Sequence, residues 1–294
     1  MKFGALPTLQ AVLRRGSFAL AAEELGLTPS AVSQQMRNLE EYFGQPLFDR
    51  SGRTVKPTPL AFEVISTVRD ALSGLELLRD RSSRDLRGKL RFGATNTVQL
   101  SVLPRALRLQ MERYPGIQVH LEPEHISENL LDMVKAGHID AAAIAKPEGA
   151  AARNLVYEVI AAEAFVLVYP QSYEGAATVR DIVANLPWIR YNAKLSGGRM
   201  ASAYVRQIFP HLEARFEVMS GEAVMNMVSE GLGFSVIPQP REVIARMYPV
   251  NMLRLDRKMR KRQIVLARRA VDADNRRINA LLECLREAFE QTIV

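Results

Sequence analysis

The chain has 294 residues, 48% of them hydrophobic and 24% charged, enough for two or three domains with a sizeable core, which excludes the disordered and fibrous classes. The net charge of +7 favours polyanionic partners, but the first 58 residues hold only seven Lys and Arg against five Asp and Glu, so the excess is spread along the chain. The single cysteine, Cys284, rules out an internal disulfide and reads as a buried structural thiol; with no bilayer-length apolar run and an apolar start closed early by Arg14 and Arg15, a cytoplasmic protein without membrane contact is expected.

Two short helices joined by a tight turn come first. Phe18, Ala21, Ala22 and Leu25 form one apolar helix face and Gly26 ends it. Thr28 then caps a second helix with Pro29 at its first position, where a missing N–H costs nothing. Val32, Met36, Leu39 and Phe43 make its buried stripe, which leaves Ser30, Ser33, Gln34 and Arg37 on the opposite side. Gln can bond adenine N6 and N7 together, Arg can bond guanine O6 and N7, and Ser can donate or accept, so this face suits a DNA groove. Pro46-Leu47-Phe48 returns the chain to the core, and residues 50–56, with Arg50, Arg53 and Lys56, read as a basic hairpin wing for phosphate or minor-groove contact.

The phrases GSF-x-x-AAEELG, AVSQQ-x-R-x-LE, PLF-x-R and a following Thr-Pro resemble, in combination, the N-terminal winged helix-turn-helix of LysR-type transcriptional regulators. Leu60-Ala61-Phe62-Glu63 departs from the Ala-Gly-Glu usual after Thr-Pro, a change expected to tune how the wing packs on the next helix.

From Pro59 to about Arg87 a long helix is expected, with Ala61, Val64, Val68, Ala71, Leu75 and Leu78 three and four apart, and Ile65 and Leu72 widening the stripe. That seam points to a dimer, the alternative being packing on the chain's own C-terminal domain; a two-fold dimer would meet a roughly palindromic site. After Gly88, β-like runs alternate with amphipathic helices, the pattern of an α/β domain with mainly parallel sheets. Strands are expected at 89–93, 117–122, 141–145, 164–169, 188–191, 216–218, 235–237 and 263–267, and helices at 98–114, 127–136, 202–209, 221–230 and 274–291.

LPRALRLQMERYPGIQV, AGHIDAAAI, VLVYP and SGEAVMNMVSEGLGFSVIP extend the resemblance over nearly the whole chain. It implies an α/β fold class: an N-terminal winged helix-turn-helix (1–58), a linker and dimerisation helix (59–88), and a C-terminal effector-binding domain (89–294) of two subdomains similar to periplasmic binding proteins. Subdomain I would take about 89–161 and 266–294, and subdomain II about 162–265, with crossings near 161–168 and again near 265.

Ligands in such domains sit at the carboxyl ends of strands. Thr95, Asn96 and Thr97 follow the first strand and open a helix, which reads either as an anion site or as simple capping. Asn192, Lys194, Ser196 and Arg199 read as a flexible polar loop facing it, whose cations would neutralise a carboxylate unless they are merely solvated. Glu222 lines the same cleft or serves only the helix dipole. The basic run from Arg254 to Arg269 reads as a solvated loop and strand edge, with an auxiliary phosphate or polymerase contact as the alternative.

No G-x-S-x-G or G-x-x-x-x-G-K occurs, Gly231-Leu232-Gly233 lacks the third glycine of a dinucleotide loop, and His120, His125, His138 and His211 have no metal-like spacing. No catalytic residue, metal or cofactor is therefore expected. The expected function is a sequence-specific DNA-binding transcriptional regulator modulated by a small anionic metabolite, a carboxylate among the possibilities. Its partners would be double-stranded promoter DNA, that effector, further copies of itself as a dimer or tetramer, and RNA polymerase. The alternatives are a ligand-independent architectural DNA binder and a small-molecule-binding enzyme.

Overall fold

A computed structural model describes residues 3–50, 56–65, 67–68, 71, 86–147, 149, 154–255 and 259–290. It divides into two compact units, one holding Met1–Ser82 and the other built from residues 83–134 and 138–294.

In the first unit, α1 (Leu6–Arg15), α2 (Phe18–Leu25) and α3 (Pro29–Phe43) enclose a core that includes Leu9, Val12, Ala21, Ala22, Val32, Met36 and Leu39. Helix α2 stops at Gly26, whose φ of 64° is left-handed, and the Thr28 hydroxyl accepts the Ala31 N–H at 3.2 Å to start α3. Leu47 and Phe48 return to this core, and β1 (Phe48–Asp49) pairs antiparallel with β2 (Lys56–Pro57) as the base of the wing. Helix α4 follows, described over 59–65 and 67–68. Its Ala61, Val64 and Ile65 are buried in the same core, with Val68 packed partly against it. The first turns of the expected dimer seam are thus spent on the head itself, because that stripe meets α1–α3 of its own chain; Leu72, Leu75 and Leu78 lie outside the described residues.

The second unit has two lobes. In lobe I, β3 (Gly88–Ala94) pairs parallel with β4 (Ile117–Leu121) and with β5 (Ala141–Ala145). Helices α5 (Asn96–Ser101), α6 (Leu103–Arg113) and α7 (Ser127–Lys135) connect them. The chain then runs through β6 (Leu155–Glu163) into lobe II, where β7 (Phe165–Pro170), α8 (Val179–Asn185), β8 (Trp188–Tyr191), α9 (Ser196–Ile208), β9 (Ala214–Val218), α10 (Gly221–Ser229), β10 (Ser235–Pro238), α11 (Glu242–Ala245) and β11 (Val250–Arg254) follow. It returns to lobe I through β12 (Arg262–Arg269) and ends in α12 (Arg276–Glu290). The lobe I sheet has the order β4-β3-β5-β12-β6, and lobe II has β10-β7-β11 beside the parallel pair β8-β9.

Two expectations change. The lobe I sheet is mixed, since β12 runs antiparallel to both β5 and β6, and the β10-β7-β11 sheet of lobe II is antiparallel throughout; a strand arriving from the other lobe needs no βαβ helix and enters in reverse. The helix expected over 98–114 breaks at Val102, because Pro104 in the first turn of α6 has no N–H to continue α5.

The two crossing strands are neighbours, and Arg262 stands opposite Glu163 at the end of their ladder. Arg262 is 5% exposed; its Nε donates to Glu163 Oε2 at 2.9 Å and its Nη2 also pairs with that carboxylate. Removing one partner of a buried pair leaves an uncompensated charge, so Glu163→Gln should cost about 3–5 kcal/mol in urea denaturation. A loss under about 1 kcal/mol would mean that the guanidinium is hydrated in place. Cys284 is fully buried in the lobe I core, and burial pushes its thiol pKa up. A thiol-reactive dye should label it no faster than the protein unfolds; rapid labelling of the native protein would contradict that burial.

Candidate nucleic-acid interface and ligand cleft

The outer face of α3 carries an ordered polar row. Arg37 Nη2 donates to Gln34 Oε1 at 2.9 Å, and Gln34 Nε2 donates to Asn38 Oδ1 at 2.9 Å, all three side chains being exposed. At the start of the helix, the exposed Thr28 and Ser30 hydroxyls lie 2.9 Å apart beside Pro29, and Ser33 is half-buried. The face therefore presents amide, guanidinium and hydroxyl groups together, the donor and acceptor types that read base edges.

Glu40 fastens the wing to this helix. Its Oε1 accepts the N–H groups of Leu47 (3.0 Å) and Phe48 (3.2 Å), and its Oε2 accepts Arg50 Nη2 at 2.9 Å. The Arg50 guanidinium also lies over the Phe18 ring, 5.8 Å from its centroid. Arg50 is thus a braced cation and not a free one, whereas Lys56 is exposed; Arg53 lies outside the described residues. The sequence reading missed Glu40 and Asn38, whose partners are known only once the wing folds back.

Between the lobes lies a cavity of about 180 Å³. Thr95, Asn96, Thr97 and Ser127 line it from lobe I, Tyr191, Ser196 and Ser220 from lobe II, and Arg262 from the return strand. The hydroxyls of Thr95 and Thr97 are 3.4 Å apart, and Arg262 Nη2 donates to Thr97 Oγ1 at 3.1 Å. Thr97 thereby connects lobe I to the buried ion pair of the crossings. Burial pushes the Tyr191 phenol pKa up; Glu222 and Glu163 add to this and Arg262 opposes it, so the hydroxyl stays a donor.

The facing segment is not a flexible loop. Asn192 Oδ1 accepts the Lys194 N–H at 2.7 Å in a tight turn, and α9 starts at Ser196 with Gly197 and Gly198 in its first turn. A Cβ on Gly198 would stand 2.0 Å from the Asn192 carbonyl oxygen, so these glycines serve close packing. Asn192 and Lys194 do not line the cavity. Arg199 lines a wide outer groove instead, where its Nη1 bonds the Lys194 carbonyl at 3.0 Å and its Nη2 pairs with Glu128 of the other lobe at 2.8 Å. Glu222 lines a smaller adjoining cavity together with Thr97.

The basic run is not a uniformly solvated edge either. Arg262, Arg268 and Arg269 are all buried, Arg268 pairing with Glu158 at 2.6 Å and Arg269 with Asp272 at 2.7 Å, while Arg260 and Lys261 are exposed. Arg262 is among the cleft residues that the sequence reading missed, with Ser127 and Tyr191. Its one local signal was its position at the head of the apolar run Ile264-Val265-Leu266-Ala267. No helix among the described residues is long and apolar enough to cross a membrane.

Two family models match: the bacterial regulatory helix-turn-helix of the lysR family over residues 3–61 and the LysR substrate binding domain over residues 83–290. The chain is 29% identical to the HTH-type transcriptional regulator IlvR of Caulobacter vibrioides over 238 residues, covering 78% of this chain and 79% of that one. It is 33% identical to a RuBisCO operon transcriptional regulator of Acidithiobacillus ferrooxidans over 244 residues, covering 79% and 76%. Its fold resembles a substituted form of full-length OxyR from Pseudomonas aeruginosa, with a TM-score of 0.73 at 20% identity over 97% of this chain and 98% of that one. It also resembles CbnR, with a TM-score of 0.59 at 20% identity over 98% and 99%. With a reading head at one end, a two-lobed ligand domain after it and both family models matched, the chain belongs to the LysR family of DNA-binding transcriptional regulators.

Proposed function

We propose that this regulator reads its operator with the outer face of α3, steadied by the wing, and that a small metabolite carrying a carboxylate or other anionic group binds between the lobes and alters promoter binding. The observation that carries the ligand reading is the position of Arg262. It sits on the return crossing, neutralised by Glu163 of the outgoing one and bonded to Thr97 of lobe I, at the wall of a cavity to which both lobes contribute. Hydroxyls from both lobes and a buried guanidinium are donors that an anionic group takes. A ligand touching Thr97 also acts on the strands that join the lobes, and only a difference in its affinity for two arrangements shifts the DNA-bound population.

On the DNA side, Thr28, Pro29, Ser30, Ser33, Gln34 and Arg37 form the groove-facing group, and Arg50, Arg53 and Lys56 the wing group. The polar row of Arg37, Gln34 and Asn38 supports this, because side chains already held by one another lose less freedom on binding. The protein would act as a dimer or tetramer, with two heads on one site. RNA polymerase is a further partner.

Gln34→Ala should weaken binding to the chain's own upstream region by about 1–3 kcal/mol in gel shifts and barely change binding to random DNA. Equal losses on both would place Gln34 among phosphate-contacting residues. Thr97→Val should remove the response of DNA binding to the effector while unliganded affinity stays near normal, measured by footprinting after a calorimetric screen of small organic acids and inorganic anions. If only compounds without an anionic group bind, or the variant responds normally, the cleft assignment is wrong.

A further inference from the structure

The larger cavity adjoins a smaller one of about 50 Å³, and Thr97, Tyr191 and Arg262 stand in the walls of both. A single water needs about 10–15 Å³ of such space, so the smaller cavity takes a handful of atoms. Its lining is largely apolar, Leu100, Met225, Ile237 and Ile244 among it, yet Glu222 and Arg241 also reach it.

Arg241 stands just before α11, and its guanidinium lies over the Phe289 ring, 4.7 Å from the centroid. Its Nη1 is buried and has no hydrogen-bond partner among the described residues. Burial also depresses the pKa of this guanidinium, with Glu163 opposing, so the cation is poorly solvated where it stands. Glu222 lies in the first turn of α10, where the helix dipole favours its negative charge. Half-buried, it lines this space without a hydrogen bond or ion pair among the described residues. Leaving a buried donor unpaired costs about 1–3 kcal/mol, and more when it is charged, so such a group calls for a partner from outside the chain. The other two charges in the wall, Glu163 and Arg262, neutralise each other. One positive and one negative group are left. A lone carboxylate would satisfy Arg241 and meet Glu222 as a like charge; an amine alone would do the reverse.

We propose that the smaller compartment receives the head group of an amino acid, its carboxylate on Arg241 and its ammonium on Glu222, with the side chain passing Tyr191 into the larger cavity. This rests on the reading of the interlobe cleft as the effector site and names the chemical class of the effector. Tyr191, kept protonated by its burial, and Thr97 line both spaces and offer hydroxyls at their boundary.

The test is calorimetric titration of the full-length protein with the common protein amino acids. Each binder is compared with the 2-oxo acid that lacks its ammonium and the amine that lacks its carboxylate. The amino acid should bind at least about tenfold more tightly than either analogue, the factor that one charge-assisted contact supplies. Glu222→Gln should bring the amino acid and the 2-oxo acid to within about threefold, and Arg241→Met should do the same for the amino acid and the amine. Arg241→Lys, which keeps the charge, should retain part of the preference, and thermal unfolding checks that each variant is folded. The proposal is overturned if no amino acid binds, if the 2-oxo acid binds as tightly as the amino acid, or if both substitutions leave affinities unchanged. Should organic acids bind and lose affinity in Thr97→Val while the ammonium makes no difference, only the amino acid head group falls and the effector cleft stands. Should Thr97→Val affect no binder, the cleft reading itself falls.

Discussion

The ion pair between Arg262 and Glu163 is the contact on which the ligand domain turns. Two charges taken out of water are expensive to bury, and their attraction offsets that cost only when the geometry is good and the remaining donors are used. Here the spare donor goes to Thr97, so one guanidinium ties the outgoing strand, the return strand and the first lobe together. The register makes the pair possible, since Arg262 and Glu163 are opposite each other where the two crossing strands end their ladder. The link between the lobes is thereby stiffened at the wall of the interlobe cavity.

The reading head solves a related problem with one carboxylate. Glu40 projects from α3 and accepts two backbone N–H groups at Leu47 and Phe48 while holding Arg50. Those N–H groups lie where the chain turns into the wing, and buried backbone donors must find acceptors. The orientation of the wing is therefore coupled to the helix that carries Ser33, Gln34 and Arg37. The burial of Ala61, Val64 and Ile65 in the same core makes the start of α4 part of the head rather than a separate connector.

The interlobe cleft combines a neutralised centre with unspent groups around it. Arg199 and Glu128 pair across its outer mouth and Arg262 and Glu163 pair at the crossings, while Arg241 and Glu222 face the smaller space without an ion pair among the described residues. Charges already paired contribute shape and stiffness. Lys194 and Arg199, the cations most visible in the sequence, line neither of the two interlobe cavities.

What the sequence determined by itself was local. The cap at Thr28, the left-handed Gly26, the buried stripe of α3 and the apolar runs of β3, β5, β7 and β8 depend on neighbours within a few residues, and the described structure has them where the pattern predicts. Strands β6 and β11 escaped notice because edge strands are only half-buried and their polar residues interrupt the alternation, and α8 and α11 because seven and four residues are too short for a helical period to speak. Gly197 and Gly198 were legible as flexibility and proved to be close packing, since nothing local announces that a carbonyl will approach. The cleft was beyond the sequence for the same reason. Arg262 meets Glu163 across 99 residues and Thr97 across 165, and a basic run looks alike whether its members end in water or inside a fold. Only the tertiary structure, by choosing which strand returns beside which, decided that one arginine of that run would be buried between two lobes.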